Sequence, residues 1–258
     1  MTALVVSTWN WGRDLIWTRV AGLSVAGWLF FAAANMGLYG LLWDGGWHAS
    51  WGRDTFFIPP HDLMYAGVTL ALGLAGFIVI SSSLRARDTR LLQFLRFQAP
   101  LGVWILFLGA FVMVLAAPFD DWYHNTFGRD DGSGLWSAPH AMGALGGLVG
   151  ILGLLIFMLQ EQNVMWQAGT RPRGLRGLQL REIATLMIFS YTTFVIGGLS
   201  LNFWAIRDWF RFDGTLYPVL AMLAGPATLV LAQRITRRAG AATFIVVYAF
   251  VALGFMQL

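Results

Sequence analysis

The stretch APLGVWILFLGAFVMVLAAP, residues 99–118, runs for twenty residues without a charged side chain. A helix of about 20 predominantly apolar residues is long enough to cross the hydrocarbon core of a bilayer. Comparable apolar runs lie near residues 21–43, 62–83, 140–159, 183–201, 217–233 and 240–257. The sequence therefore predicts an all-α integral membrane bundle of about seven transmembrane helices. Because the last two runs are short and glycine-rich, six helices are the alternative.

Composition supports the same class of protein. Of the 258 residues, 57% are hydrophobic and only 12% are charged, whereas soluble domains carry about 25% charged residues. We expect one membrane domain over residues 1–258, with the lipid bilayer as its main partner. The chain has no cysteine, which excludes disulfides and thiolate metal sites. It also has no lysine, which excludes a seven-helix retinal protein because the retinal Schiff base needs one.

Arginine supplies every basic side chain other than histidine, and most arginines fall before the first span or in alternate connections between spans. These are Arg13, Arg19, Arg85, Arg87, Arg90, Arg96, Arg171, Arg173, Arg176, Arg181, Arg234, Arg237 and Arg238. Such loops are cytoplasmic by the positive-inside rule. We predict a bacterial inner-membrane protein with a cytoplasmic N-terminus and aspartate-rich connections on the periplasmic face. The net charge of +4 then reflects membrane topology, and we expect no nucleic-acid partner.

All four histidines belong to two copies of one pattern in the aspartate-rich connections. In the first copy Asp44 is followed by His48 and then by His61, which comes directly after Pro60. In the second, Asp120 is followed by His124 and then by His140, which comes directly after Pro139. The regular use of every histidine predicts a duplicated metal site.

The spacing explains how each copy would gather its ligands. An aspartate and a histidine four residues later share one face of a helix. A proline is tolerated in the first turn of the following helix, so it places the second histidine at that helix start. Two imidazoles and one carboxylate suit a borderline metal such as copper, iron or zinc. The competing interpretation is that the aspartates are merely solvated and that the histidines sit at helix ends in the interface.

Other polar and aromatic residues accompany the motifs. Arg53 and Asp54 follow the first motif, Asp62 adjoins its second histidine, and Trp47 and Trp122 lie inside the two motifs. The charged residues are candidates for orienting the ligating histidines through hydrogen bonds, although local ion pairs would explain Arg53 and Asp54 equally well. The tryptophans are candidates for shielding the site from water, although aromatic belts at membrane interfaces explain most such residues.

The two motifs suggest an internal repeat of two to three helix-loop-helix units. The predicted units cover residues 20–96, 97–181 and 182–239, followed by a final helix at 240–258. In the third unit Asn202, Ile206 and Val219 stand where the ligands would be, so this copy would keep the scaffold without the metal. A chance match of proline and tryptophan positions is the alternative.

The first motif carries a family resemblance. Asp44-Gly45-x-Trp47-His48, followed by Arg53-Asp54-Thr55, Phe57, Pro59 and His61, resembles the signature of a metal-binding membrane subunit of the copper membrane monooxygenases, the particulate methane and ammonia monooxygenase family. The second motif is similar to that family's neighbouring copper site, although Asp120 stands where an amide is usual and the loop to His140 differs in length. The resemblance covers roughly residues 40–145 and identifies a divergent relative, since only one predicted span precedes Asp44.

This resemblance implies a function. Asp44, His48 and His61 would form one copper site, and Asp120, His124 and His140 a second. The protein would be a metal-binding subunit that takes part in oxidising a small apolar substrate with O₂, alongside other membrane subunits or further copies of itself. The alternative is a non-catalytic metal-binding or structural subunit of a larger respiratory or photosynthetic membrane complex.

Overall fold

The computed structural model describes residues 18–51, 55–127, 137–167, 179–203 and 216–254. Within these helical ranges it does not describe the side chains of residues 48, 49, 164–167, 194–203, 216–224 and 252–254. In the described residues there are seven helices: α1 Val25–Trp51, α2 Pro59–Ser83, α3 Leu101–Phe127, α4 Ala138–Gln167, α5 Leu180–Phe203, α6 Leu216–Thr236 and α7 Ala241–Gly254. The seven predicted runs therefore all form helices.

Four of these helices are long and apolar enough to cross a membrane. The candidate spans are Val25–Trp47, Pro59–Ser83, Leu101–Phe127 and Ala138–Asn163. Only 28–33% of the most apolar part of each span is buried inside the protein. Most of their apolar surface therefore faces outward, as lipid-facing helices require. The crossing of the membrane by α5, α6 and α7 stays a prediction.

Helices α1 and α3 extend past their apolar runs on the motif side. Helix α1 continues to Trp51 and α3 continues to Phe127, whereas the predicted apolar spans end near 43 and 118. Helix α3 passes through Pro118, which removes one backbone hydrogen bond without stopping the helix. Asp44 and Asp120 therefore lie on helices, as the four-residue spacing to the following histidine predicts.

Two short β-hairpins, which the sequence did not suggest, lie at the opposite end of the bundle from the motifs. Strands β1 Arg19–Val20 and β2 Leu23–Ser24 pair just before α1. Strands β3 Leu92–Phe94 and β4 Phe97–Ala99 pair between α2 and α3. The all-α prediction holds for the rest of the described chain.

Helices α3 and α4 make the closest helix–helix contact in the described bundle. A Cβ added at Gly109 would lie 2.2 Å from the backbone nitrogen of Gly150, and one at Gly153 would lie 2.3 Å from that of Leu106. Small residues allow such close approach between membrane helices. The two helices are thereby held antiparallel, with the end of α3 beside the start of α4. Helices α1 and α2 form a similar antiparallel pair beside them.

Candidate metal centre

The second motif forms a compact cluster of potential metal ligands. Asp120 and His124 lie one turn apart near the end of α3, and His140 lies in the first turn of α4. Asp120 Oδ1 is 3.3 Å from His124 Nε2 and 3.0 Å from His140 Nδ1. The two imidazole rings are 5.9 Å apart. One ligand atom from each of the three residues lies within 4.8 Å of the other two, which is a spacing that a single ion can bridge.

The polar atoms of this cluster are poorly satisfied without an ion. Asp120 Oδ1 and His124 Nδ1 are buried, and neither makes a hydrogen bond among the described residues. Leaving a buried polar atom unsatisfied costs about 1–3 kcal/mol. A cation between the carboxylate and the imidazoles would remove this cost at Asp120, because a metal accepts lone pairs that point at a common centre.

The first motif brings its carboxylate to its second histidine in the same way. Asp44, near the end of α1, has its Oδ1 3.1 Å from Nε2 of His61 in the first turn of α2. His61 Nδ1 lies 3.3 Å from the carbonyl oxygen of Phe56. A hydrogen bond at that nitrogen would leave Nε2 as the nitrogen available to a metal. His48 lies on α1 one turn after Asp44, but its side chain is outside the described structure.

The two motifs meet at one end of the bundle. His61 of the first motif lies close enough to Asp120 of the second for an electrostatic interaction between imidazole and carboxylate. The side chains of Asp44 and His61 are only 16% and 13% exposed, whereas His140 is 40% exposed. The two ligand sets are therefore neighbours, with the second one closer to the surface.

Both second histidines are positioned by the same device. Each histidine follows a proline and lies in the first turn of its helix. The backbone N–H of the residue after it donates to the carbonyl oxygen of the residue before the helix, from Asp62 to Ile58 at 2.9 Å and from Ala141 to Ser137 at 3.0 Å. This equivalence was predictable from Pro60 and Pro139.

The residues that hold the two rings in place were not predicted. Ser137 Oγ contacts His140 Nδ1 at 2.7 Å and accepts from its backbone N–H at 3.4 Å. The ring of Tyr65 lies 5.7 Å from that of His61. Two sequence signals could have found them. A serine directly before a helix start is a common cap, and a tyrosine four residues after a histidine shares its helix face.

The residues predicted to shield or orient the ligands differ in their surroundings. Trp47 stacks on Trp51 with ring centroids 5.8 Å apart, and its indole nitrogen is buried without a hydrogen bond among the described residues. Trp122 is 54% exposed and stacks on Phe119. The side chain of Asp62 is exposed. Arg53 and Asp54 lie outside the described residues, as does most of the ligand-free segment predicted for the third unit.

Comparisons with family models, curated proteins and solved structures give no match to the chain. The resemblance to the copper monooxygenases therefore depends on the motif residues alone and stays a prediction.

Proposed function

We propose that the protein is an integral membrane metalloprotein that binds a transition metal through Asp120, His124 and His140. One observation carries this proposal. The carboxylate oxygen of Asp120 is buried and lies within 3.3 Å of nitrogens from both histidines, yet it makes no hydrogen bond among the described residues. Ligand atoms that converge without satisfying one another are the geometry expected of a metal site.

The donor set suits copper, iron or zinc, and the motif resemblance to the copper monooxygenases favours copper among them. Imidazole nitrogen suits all three metals, and a single carboxylate adds one negative charge. The described residues supply three ligands, fewer than the full coordination of any of these ions, so a position would stay open for a further ligand. When bound, a copper or iron ion would supply redox chemistry with O₂, whereas zinc would supply a Lewis acid.

The chain's own residues would position and shelter the ion. Ser137 accepts from the backbone N–H of His140 at the start of α4, and its contact with His140 Nδ1 would give way to the ion. The helical register holds His124 beside Asp120. The neighbouring pair Asp44 and His61 would bind a second ion or add negative charge beside the first. Since the α1–α4 surfaces are largely apolar and outward-facing, a small apolar substrate could approach from the bilayer.

We therefore propose a role like that of the metal-binding subunit of a copper membrane monooxygenase, oxidising a small apolar substrate. A second proposal is a non-catalytic metal-binding or structural subunit of a larger respiratory or photosynthetic complex. Exposed aromatic side chains near the site favour contacts with further subunits: Trp51 is 76% exposed, Phe57 is 73% exposed and Phe127 is 66% exposed. In both proposals the site faces the periplasm of a bacterial inner membrane and the arginine-rich end faces the cytoplasm.

Metal analysis with electron paramagnetic resonance tests the proposal directly. We expect purified protein reconstituted with Cu²⁺ to show a nitrogen-coordinated signal that Asp120→Asn weakens and the double variant His124→Ala/His140→Ala removes. Asp121→Asn is the matched control, because Asp121 is the next carboxylate on α3 and is exposed. Equal metal content and unchanged spectra in all four proteins would contradict the proposed site. A Soret band would instead indicate haem.

A further inference from the structure

The β3–β4 hairpin carries an apolar tip that the rest of the described protein leaves uncovered. Phe94 is 59% exposed, Leu95 is 79% exposed and Phe97 is 44% exposed. Phe94 and Phe97 form the last pair of the hairpin, and Leu95 is the first residue of the two-residue loop between them. The tip thus presents a compact apolar patch at the end of the bundle opposite the candidate metal centre.

The backbone of the tip makes the choice of leucine informative. Leu95 adopts a φ of +53°, a left-handed conformation that glycine or asparagine adopts far more readily than leucine. A two-residue hairpin loop with positive φ at its first position ordinarily carries glycine there. Glycine would therefore adopt this turn with less backbone strain than leucine does. An exposed leucine at this position indicates that its side chain has a function.

The hairpin is anchored firmly at its base. Gln98, which is 3% exposed, donates from Nε2 to the carbonyl oxygens of Ser82 at 2.7 Å and Ala86 at 3.0 Å. Its Oε1 accepts from Gln93 at 2.7 Å, and its backbone N–H donates to Ser83 Oγ at 2.9 Å. These bonds join β4 to the end of α2, so the position of the apolar tip relative to α2 is fixed.

Arginines flank the tip. Arg87 and Arg96 are exposed and form no ion pair among the described residues. Arg90 pairs with Asp88 at 2.7 Å, and this guanidinium holds the pKa of the Asp88 carboxyl below its usual range. With Asp88 paired, Arg87 and Arg96 are left to give this surface its positive charge.

The position of the hairpin in the fold indicates what covers it. It connects the end of one candidate span at Ser83 to the start of the next at Leu101. Trp104 in the first turn of α3 packs edge-on against Phe94, with ring centroids 5.9 Å apart, and donates from Nε1 to the carbonyl of Leu92 at 3.3 Å. The apolar tip and the arginines therefore lie at the level where acyl chains meet headgroups.

We propose that the β3–β4 hairpin is an interfacial anchor that inserts Leu95 between the lipids of one leaflet and binds anionic phospholipid headgroups through Arg87 and Arg96. Apolar side chains flanked by arginines bind such surfaces through combined burial and charge attraction. The proposal rests on the membrane placement of α2 and α3 and is independent of any metal.

Since the chain has no cysteine, a Leu95→Cys variant accepts a single nitroxide label. We expect a label in nanodiscs of phosphatidylcholine and phosphatidylglycerol to collide with dissolved O₂ and to be protected from a water-soluble nickel chelate. A label at the exposed Thr89, in the same connection, is the matched control and should be open to the chelate. Equal chelate access at both positions would overturn the insertion of the tip.

Titration with phosphatidylglycerol in neutral detergent, followed through the same label, tests the headgroup contact. We expect Arg87→Gln and Arg96→Gln each to weaken the midpoint about fivefold, the change expected for one arginine near an anionic surface. Phosphatidylcholine should give no saturable transition. Identical titrations with both lipids would overturn the headgroup assignment.

A Leu95→Gly variant separates a lipid role from a role in the protein's own packing. We expect it to melt at or above the wild-type temperature in detergent, because glycine relieves the left-handed backbone, and to lose part of the stabilisation that phosphatidylglycerol gives the wild type. A lower melting temperature in detergent alone would overturn the proposal. So would a label at position 95 that is protected in native membranes but not in nanodiscs, since a protein would then cover the tip.

Discussion

Both motif-bearing helix pairs bring an aspartate against the histidine that begins the next helix, but different groups contact that histidine. In the α1–α2 pair, Asp44 meets His61 at 3.1 Å, and in the α3–α4 pair, Asp120 meets His140 at 3.0 Å. The histidine of the first pair is supported by a backbone carbonyl, and that of the second by a serine hydroxyl. In the second pair His124, one turn after the aspartate, also lies 3.3 Å from the carboxylate, whereas the side chain of its counterpart His48 is outside the described residues.

The difference shows which part of the pattern gathers ligands. A carboxylate at a helix end and a histidine in the first turn of the next helix meet in both pairs, so the proline-marked helix start produces that contact. Among the described side chains the three-ligand set is complete in the α3–α4 pair, and the α1–α2 pair lies beside it.

Removing the carboxylates is expected to have the largest effect and compares the two pairs directly. We expect Asp120→Ala to reduce Cu²⁺ affinity by more than the roughly 10–100-fold that loss of an outer hydrogen-bond partner causes, since it removes a ligand that both imidazoles face. Asp44→Ala should reduce the affinity of the α3–α4 pair less, because Asp44 faces His61 of the neighbouring pair. Isothermal titration with Cu²⁺ measures both. Equal losses in the two variants would indicate one shared centre instead of two neighbouring ones.

The close approach of α3 and α4 predicts a large effect on stability. In Gly109→Ala the new Cβ would lie 2.2 Å from the backbone of Gly150, so the helices must separate. Overpacking of this kind costs about 1–3 kcal/mol or more, and the shift would also widen the distance between Asp120 and His140. Thermal unfolding in detergent measures the stability, and Cu²⁺ titration measures the site.

Gly37→Ala on α1 is the control for that experiment, because no atom lies within 4 Å of a Cβ built there. Alanine in a helix interior is favoured over glycine by roughly 0.5–1 kcal/mol, so this variant should match or exceed the wild-type melting temperature. If both glycine variants lowered the melting temperature equally, the tight α3–α4 contact would not be the feature that sets stability.

The sequence predicted the helices well because length and apolar character decide them. Apolar character marks the outer ends less well, since the apolar run ends near Pro118 but α3 reaches Phe127. Proline is tolerated inside membrane helices because neighbouring helices and side chains satisfy the freed backbone groups. The two β-hairpins escaped prediction because each strand has only two or three residues, too few to show a period-two pattern.

The candidate site was predictable to a similar degree. The contacts of Asp120 with His124 and His140 follow from helical spacing and from Pro139, which are local features. The neighbourhood of His61 and Asp120 comes from the packing of two helix pairs, and no local pattern encodes it. Ser137 was missed because its signal, a cap directly before a helix, becomes visible only once the helix start is known.

Replacing Ser137 is expected to have an effect of intermediate size. It compares the serine contact of His140 with the backbone-carbonyl contact of His61. We expect Ser137→Ala to cost about 1 kcal/mol of stability through loss of a helix cap and, because α4 begins less firmly at His140, to weaken Cu²⁺ binding by no more than about 10-fold. Thr55→Ala, which removes a hydroxyl that contacts the Phe57 carbonyl before α2, is the control in the other pair. A Thr55 variant that weakened binding as much as the Ser137 variant would remove the distinction between the supports.

Asp62 carries the smallest expected effect. It directly follows His61, yet its side chain is exposed and its position in the first turn of α2 gives it an ordinary helical role. A carboxylate there contributes about 0.3–1 kcal/mol through the helix dipole, so Asp62→Asn should lower the melting temperature slightly and leave the Cu²⁺ signal unchanged. A changed nitrogen hyperfine pattern in that variant would show that Asp62 reaches the ligands after all. It would then give the α1–α2 pair a second carboxylate that the α3–α4 pair does not have at the equivalent position, Ala141.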